Sequence, residues 1–167
     1  MADLNTILGT LKAGRTRTAW FVPVDDQGKP FGDPPFRIHL LSRRSDEWRQ
    51  MENAWQMERA VQMANNGKLT AQDATKYVTH LVRSHIAITR EWENLTTGDG
   101  EPVPCTPVTM ANLYNDIDFR EQLFAFTADP ANYGEKGDIE PSSEAEDAQK
   151  KLLNGVSGDS PGASTSV

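Results

Sequence analysis

The distribution of aromatic residues places the strongest limit on how this chain can fold. All thirteen Phe, Trp and Tyr residues lie between Trp20 and Tyr133, and the core of a small domain depends on such large side chains. Residues 16–133 are therefore predicted to form an ordered body, preceded by an N-terminal arm at 1–15. Residues 134–167 hold no aromatic residue and are rich in Gly, Ser and Pro. We expect them to be a disordered tail, because they cannot bury enough apolar area to offset ordering entropy.

Charge and composition narrow the classes of partner. The formal net charge is −7, and residues 134–167 contribute −4 of it, from seven acidic and three basic side chains. A transient helix at 143–153 is the one ordered element expected in that tail. An acidic chain gains little from neutralising phosphates, which disfavours nucleic acid; the pairs Arg15/Arg17 and Arg43/Arg44 are interpreted as solvated.

The same composition bears on location. No apolar stretch approaches the roughly 18 residues of a membrane span, and residues 1–15 lack the apolar run of a signal peptide. The single cysteine fits a reducing compartment. We therefore expect a soluble intracellular protein that binds no membrane.

Two segments near the start of the body have the pattern of β-strands. In "TRTAWFVPV" at 16–24 and "FRIHLL" at 36–41, aromatic and β-branched residues alternate with their neighbours, which is the period of a strand. The segment 25–35 between them contains Gly28, Gly32 and three prolines, a composition typical of turns. The pattern predicts a β-hairpin. Because a lone hairpin is marginal in water, helices must cover it.

A helix is predicted over residues 46–66, with apolar residues on two of its sides. Ser45 is a suitable N-cap. Trp48, Met51 and Trp55 fall on one side at i, i+3 and i+7. The side roughly opposite carries Ala54, Met57, Val61 and Ala64. A helix that is apolar on two sides is covered on two sides. Either the hairpin and another helix sandwich it, or one side is left for a partner.

A second helix is predicted over about residues 70–95. Thr70 and Asp73 have the spacing of a capping box and would begin it. Apolar residues then recur at intervals of three and four as far as Trp92 and Leu95, which is the period of a helix.

The stretch "REWENLTTGDGEPVPCTPVT" at 90–109 is predicted to be a stiff joint between two helical pieces. It holds an acidic Gly loop and three prolines around Cys105, the only cysteine. Proline holds the residue before it extended, which ends a helix. A third helical region at 108–127 follows, and Asp116 or Asp118 is expected to divide it. The predicted fold class is α+β: a mainly helical body with an N-terminal β-hairpin and a disordered C-terminal tail.

The sequence contains no recognisable catalytic or metal-binding motif. A catalytic thiol needs a nearby base, and usually a cation or a helix N-terminus, but nothing in the sequence links Cys105 to His80 or His85. We interpret Cys105 as a small residue packed in a stiff loop. His80 and His85 are five apart and fall on different helix faces, whereas zinc pairs on a helix prefer i, i+4. We expect a non-enzymatic protein with no cofactor and no metal.

Surplus apolar side chains favour protein binding. On the last helix, Phe119, Leu123 and Phe126 form a stripe that is predicted to be core, and Phe124 points about 140° away from Phe119. Phe124 and one face of the 46–66 helix exceed what a single small core needs. Surplus apolar surface indicates either a binding face or further packing. The candidate protein-binding residues are Trp48, Trp55, Met57, Val61 and Phe124.

The order of features along the body is also informative. "WFVPVDDQG" at 20–28 fits a W-x-V-x-V-D-x-x-G-like strand pair, and "FRIHLLSRRSDEW" is a strand that enters a polar helix. "HIAITREWENLTTGDGEPVPCTP" at 85–107 is a helix ending in Trp, an acidic Gly loop and a Pro-rich joint. "FREQLFAFTADPANY" supplies a last helix with a Leu/Phe stripe. Over residues 16–133 this layout resembles the tail assembly chaperones of long-tailed bacteriophages.

The resemblance implies a non-enzymatic function and two partners. Such chaperones coat the long, apolar tape measure protein during tail assembly and recruit subunits of the major tail (tube) protein. It also implies a location in the host cytoplasm and absence from the finished virion. A frameshifted longer form, for which Lys150–Lys151 could mark a slippery codon pair, and a homo-oligomeric state are left open. The alternative is a structural virion component, such as a tail terminator or neck protein, which would need more strand content and a constant oligomeric ring. An enzyme is disfavoured.

Overall fold

The computed structural model describes residues 3–68 and 70–134, which form an α+β fold that is mainly helical. The helices are α1 (Leu4–Arg15), α2 (Asp46–Asn66), α3 (Ala71–Ile88), α4 (Pro107–Tyr114) and α5 (Ile117–Ala128), followed by a 3-10 turn at Pro130–Tyr133. The strands are β1 (Thr18–Phe21), β2 (Arg37–Leu41) and β3 (Thr89–Glu93). The expected tail disorder and the helix at 143–153 lie outside the described residues.

The predicted hairpin is confirmed and forms two strands of a three-stranded antiparallel sheet of order β1-β2-β3. Trp20 pairs with His39, and Phe21 pairs with Ile38. Phe21, Ile38 and Leu40 point inward and are buried. On the other face the ring of Trp20 stacks on that of His39, with centroids 4.6 Å apart. The two-residue period of the strands therefore separates a core face from an outer face.

The prediction of a continuous helix over about 70–95 is wrong beyond Ile88. Thr89 turns extended, with ψ 127°, and its hydroxyl donates to the carbonyl of His85 at 2.7 Å. The next residues form β3, which pairs with β2 so that Trp92 lies opposite Ile38. The free edge of β2 offers unpaired backbone groups, and pairing them stabilises a strand where the side-chain spacing alone suggests a helix.

The interpretation of 90–109 as a joint between two helices is corrected in the same way. Its first residues belong to β3, and a tight loop follows in which Thr97 donates its N–H to the Glu101 carbonyl at 2.8 Å. Gly100 adopts φ 84°, a left-handed conformation that glycine tolerates readily. The prolines then lead into α4, whose N-cap is Thr106.

The expected division of the last helical region is confirmed at Asp116. α4 ends at Tyr114, and the carboxylate of Asp116 accepts the Phe119 N–H at 2.9 Å to begin α5. α5 packs on the inner face of the sheet, where the Phe21 and Phe119 rings lie edge to face with centroids 5.9 Å apart. The core lies between the sheet and helices α2 to α5. Its completely buried members include Ile38, Leu40, Ile88, Tyr114 and Leu123.

Within the described residues, no helix combines the length and the apolar character needed to cross a bilayer.

Candidate functional site

The inner face of α2 is closed by α3. The Ser45 hydroxyl caps α2 by accepting the Trp48 N–H at 3.2 Å, and this sets the register of the helix. Trp48 is 7% and Trp55 is 8% exposed. The Trp48 ring meets His85 edge to face at 5.1 Å, and the Trp55 ring stacks on His80 at 4.9 Å. These two candidate binding residues are therefore core residues, and neither offers a free face to a partner.

The outer face of α2 is an exposed apolar stripe, which we call the α2 stripe. Met57 is 72% and Val61 is 61% exposed. Ala60 and Ala64 are also exposed and complete the i, i+3, i+4, i+7 spacing of one helix face. Nothing in residues 3–68 or 70–134 covers this stripe. Of the two alternatives for the two-sided helix, the structure supports the one in which a side is left open.

Phe124 does not lie outside the core, contrary to the prediction. It is half-buried, packs against the main hydrophobic cluster and stacks on the His85 ring, with centroids 4.3 Å apart. α5 is covered on two sides: Phe119 and Leu123 face the buried cluster, as predicted, while Phe124 faces α3. The 140° separation from the core stripe does not expose Phe124, because α3 packs on that side of α5.

A polar network behind Phe124 fixes α3, α5 and the end of the hairpin together. His85 Nδ1 lies 2.7 Å from the Leu81 carbonyl, and Nε2 lies 2.7 Å from Thr127 Oγ1. The carbonyl can only accept, so Nδ1 carries the proton and the Thr127 hydroxyl donates to Nε2. Arg43 Nε in turn donates to Thr127 Oγ1 at 3.1 Å, and its Nη2 donates to the Phe124 carbonyl at 2.9 Å.

Burial decides the charge of this histidine. Desolvation lowers the pKa of His85 to about 3, and the nearby Arg43 charge acts in the same direction. The ring is therefore neutral at physiological pH, and both its nitrogens are engaged. Such a group holds helices together; it is not poised to move a proton near neutral pH.

The other two histidines and Cys105 have separate local surroundings. His80 Nε2 contacts Glu52 Oε1 at 2.8 Å, and His39 lies on the outer face of the sheet beside Trp20. In the described part of the chain, no group of three His, Cys, Asp or Glu side chains could hold a metal ion. Burial raises the pKa of the Cys105 thiol, and the Glu91 charge raises it further, so the sulfur is not activated as a thiolate.

A second surface, which sequence reasoning missed, is a groove of about 990 Å³ between the hairpin loop and the α4–α5 corner. Phe31, Phe36, Leu113 and Phe119 line its floor. Gln122 holds the β1 end of the groove in place, because its amide accepts the Val24 N–H at 3.0 Å and donates to the Val24 carbonyl at 2.9 Å. We call this surface the acidic groove, because the charged side chains that line it are all Asp or Glu.

The acidic residues that line this groove are visible in the sequence, but Asp25 and Asp116 have local explanations. Asp25 accepts backbone N–H groups within the hairpin loop, and Asp116 caps α5. Each carboxylate therefore has a local role, in a turn or at a helix N-terminus, that accounts for its presence without a groove. Only the tertiary structure shows that the loop and the cap face the same cavity.

The N-terminal arm is a helix with an exposed apolar face, also missed in the sequence. Leu4, Ile7, Leu8 and Leu11 are 66%, 43%, 55% and 54% exposed. Their i, i+3, i+4, i+7 spacing is the signal that could have identified both the helix and its face.

No protein-family model, curated protein or solved structure matches this chain.

Proposed function

We propose that this protein is a non-enzymatic phage tail assembly chaperone that binds the tape measure protein and recruits tail tube subunits to it in the host cytoplasm. The observation that carries the proposal is the α2 stripe. A holdase must present apolar surface while its own core stays closed, and α2 does this by burying Trp48 and Trp55 on one side while Met57 and Val61 remain exposed on the other.

The chemistry of the α2 stripe suits a helical apolar client. Ala60 and Ala64 are small, so the backbone of a client helix can approach α2 closely. Met57 is unbranched and flexible, and methionine adapts its shape to varied apolar partners. A long tape measure protein presents many different apolar segments, so a surface that accepts a range of sequences fits this task better than a tightly shaped pocket.

The net charge supports the same function. The chain carries −7 overall, and like charges on neighbouring chaperones keep a coated client in solution. The alternative, a structural virion component, requires more strand content than the three short strands of the described residues supply.

The first test is co-expression with an apolar helical fragment of a tape measure protein. The wild-type chain is expected to keep the fragment in the soluble fraction. Val61→Glu and Met57→Glu are expected to abolish capture, since a buried charge would oppose the contact, without changing the melting temperature. Gln56→Glu adds the same charge on an exposed part of α2 away from the stripe and serves as the matched control.

Two results would contradict the proposal. If Val61→Glu and Met57→Glu hold the fragment as well as wild type does, the α2 stripe is not the client site. If mass spectrometry finds the protein at constant stoichiometry in purified virions, the structural alternative replaces the chaperone.

A further inference from the structure

α1 exposes more apolar surface than a helix in water normally does. Four large aliphatic side chains lie on one face, and the only buried residue of the helix is Gly14. Leaving a Leu or Ile side chain in water forgoes roughly 1.5–3 kcal/mol relative to burying it. A contiguous exposed stripe of this kind indicates an interaction surface. We call it the α1 stripe; it consists of Leu4, Ile7, Leu8 and Leu11.

Among the described residues, the hydrogen bonds that join α1 to the body lie at its C-terminal end. The Ser42 hydroxyl donates to the Gly14 carbonyl at 3.1 Å, and the Ser42 N–H donates to the Arg17 carbonyl at 3.0 Å. These bonds fix the joint between α1 and β1. The acidic groove begins at Val24, at the other end of β1, which is roughly 20 Å of extended chain away. No residue of α1 lines the groove of its own copy.

The acidic groove is the complement of α1 in both polarity and charge. Its floor is apolar, and its charged lining residues are Asp25, Asp26, Asp116, Asp118 and Glu121, with no Lys or Arg among them. None of the five forms an ion pair with another described residue. α1 has Lys12 and Arg15 in its last turn and no acidic residue within its bounds. Those two cations likewise have no acidic partner in the described part of the chain.

We propose that α1 of one copy docks its stripe into the acidic groove of a second copy. Leu4, Ile7, Leu8 and Leu11 would cover the apolar floor, and Lys12 and Arg15 would meet the acidic rim. Such a contact joins two different surfaces. Two copies close a two-fold dimer if each places its α1 in the groove of the other, and a one-way contact extends to further copies or closes as a ring. The inference is independent of the proposed function, because neither surface includes the α2 stripe.

The test measures self-association of the full-length chain by sedimentation velocity over a range of concentrations at low salt. Leu8→Asp places a charge in the α1 stripe, and Phe31→Asp places one among the apolar residues that line the groove. Both side chains are exposed in the single copy, so the melting temperature is expected to stay unchanged. Each variant alone is expected to weaken association by about tenfold or more. Thr10→Asp, exposed on α1 away from the stripe, is the matched control and should associate like wild type.

Mixing the two variants gives the decisive result. Phe31→Asp retains an intact α1 stripe and Leu8→Asp retains an intact groove, so an equimolar mixture is expected to form a one-to-one complex. Salt should weaken that complex because the rim contacts are ionic. The proposal is overturned if Phe31→Asp still self-associates like wild type, which would show α1 pairing with α1. It is also overturned if the wild-type chain is monomeric at every concentration, as expected for α1 folding back on its own copy.

Discussion

At the scale of single residues, His85 shows how burial sets protonation. Its ring lies between Trp48 and Phe124, and its nitrogens contact the Leu81 carbonyl and the Thr127 hydroxyl. Burial strips water from the ring and lowers the pKa of His85, and the Arg43 charge lowers it further. The folded state therefore keeps the ring neutral.

This neutral histidine predicts acid sensitivity. Its pKa falls from 6.5 to about 3 on folding, so the unfolded chain takes up a proton as pH falls below its ordinary value while the folded chain does not. The contribution of neutral His85 to the free energy of unfolding is complete above about pH 7 and is lost as pH falls towards 3. We expect the free energy of unfolding to fall by about 3 kcal/mol between about pH 7 and about pH 4 because of this group. Urea unfolding at both pH values measures it.

His85→Gln is the comparison for that measurement, because an amide can form hydrogen bonds but does not titrate. Carboxylates titrate equally in both proteins, so their effect cancels in the difference. The variant should be less stable than wild type at neutral pH, yet lose less stability on acidification. Equal losses in the two proteins would show that another group causes the acid sensitivity.

At the scale of elements, α5 is a helix buried on two sides rather than one. Leu123 is completely buried, and Phe124 packs its ring on α3. The Arg43 guanidinium lies 4.8 Å from the centre of the Trp48 ring and also donates to the Phe124 carbonyl, so the hairpin end is tied to both α2 and α5.

Substitutions along α5 test this arrangement. Phe124→Asp and Phe119→Asp should each destabilise the fold by about 3 kcal/mol or more, because a charge would replace a packed ring. Ala125→Asp, at an exposed position between them and the helix end, is the control and should cost less than about 1 kcal/mol. Thermal unfolding followed by circular dichroism measures all three. If the Phe124→Asp variant melts at the same temperature as the Ala125→Asp variant, Phe124 lies outside the core.

At the scale of the whole molecule, an enclosed core coexists with exposed apolar stripes on α1 and α2. A chain with such surfaces depends on charge for solubility. More than half of the net charge, −4 of −7, belongs to residues 134–167, whereas every aromatic residue precedes them. The residues that form the core thus precede residue 134, and most of the net charge that favours solubility follows it.

Removing residues after Gly134 separates these two roles. The shortened chain should melt within about 4 °C of the full-length protein, because the core is retained, but should precipitate at a lower concentration near neutral pH. A full-length variant with the seven acidic tail residues changed to Asn or Gln keeps the length and removes the charge. A large fall in melting temperature on truncation would show that the tail belongs to the fold.

Local chemistry in the sequence determined where most elements begin. Ser45, Thr70 with Asp73, and Asp116 are capping residues within a few positions of the groups they cap. The sequence therefore predicted the starts of two helices and the division of the last helical region. Alternation over a few residues likewise predicted the hairpin. The tertiary structure decided the rest. Residues 89–93 became a strand because β2 had a free edge, and Phe124 became half-buried because α3 lies beside α5. The acidic groove exists because residues far apart in sequence meet there. Each of these outcomes depends on which surfaces come together in space, and the spacing of residues along one segment does not contain that information.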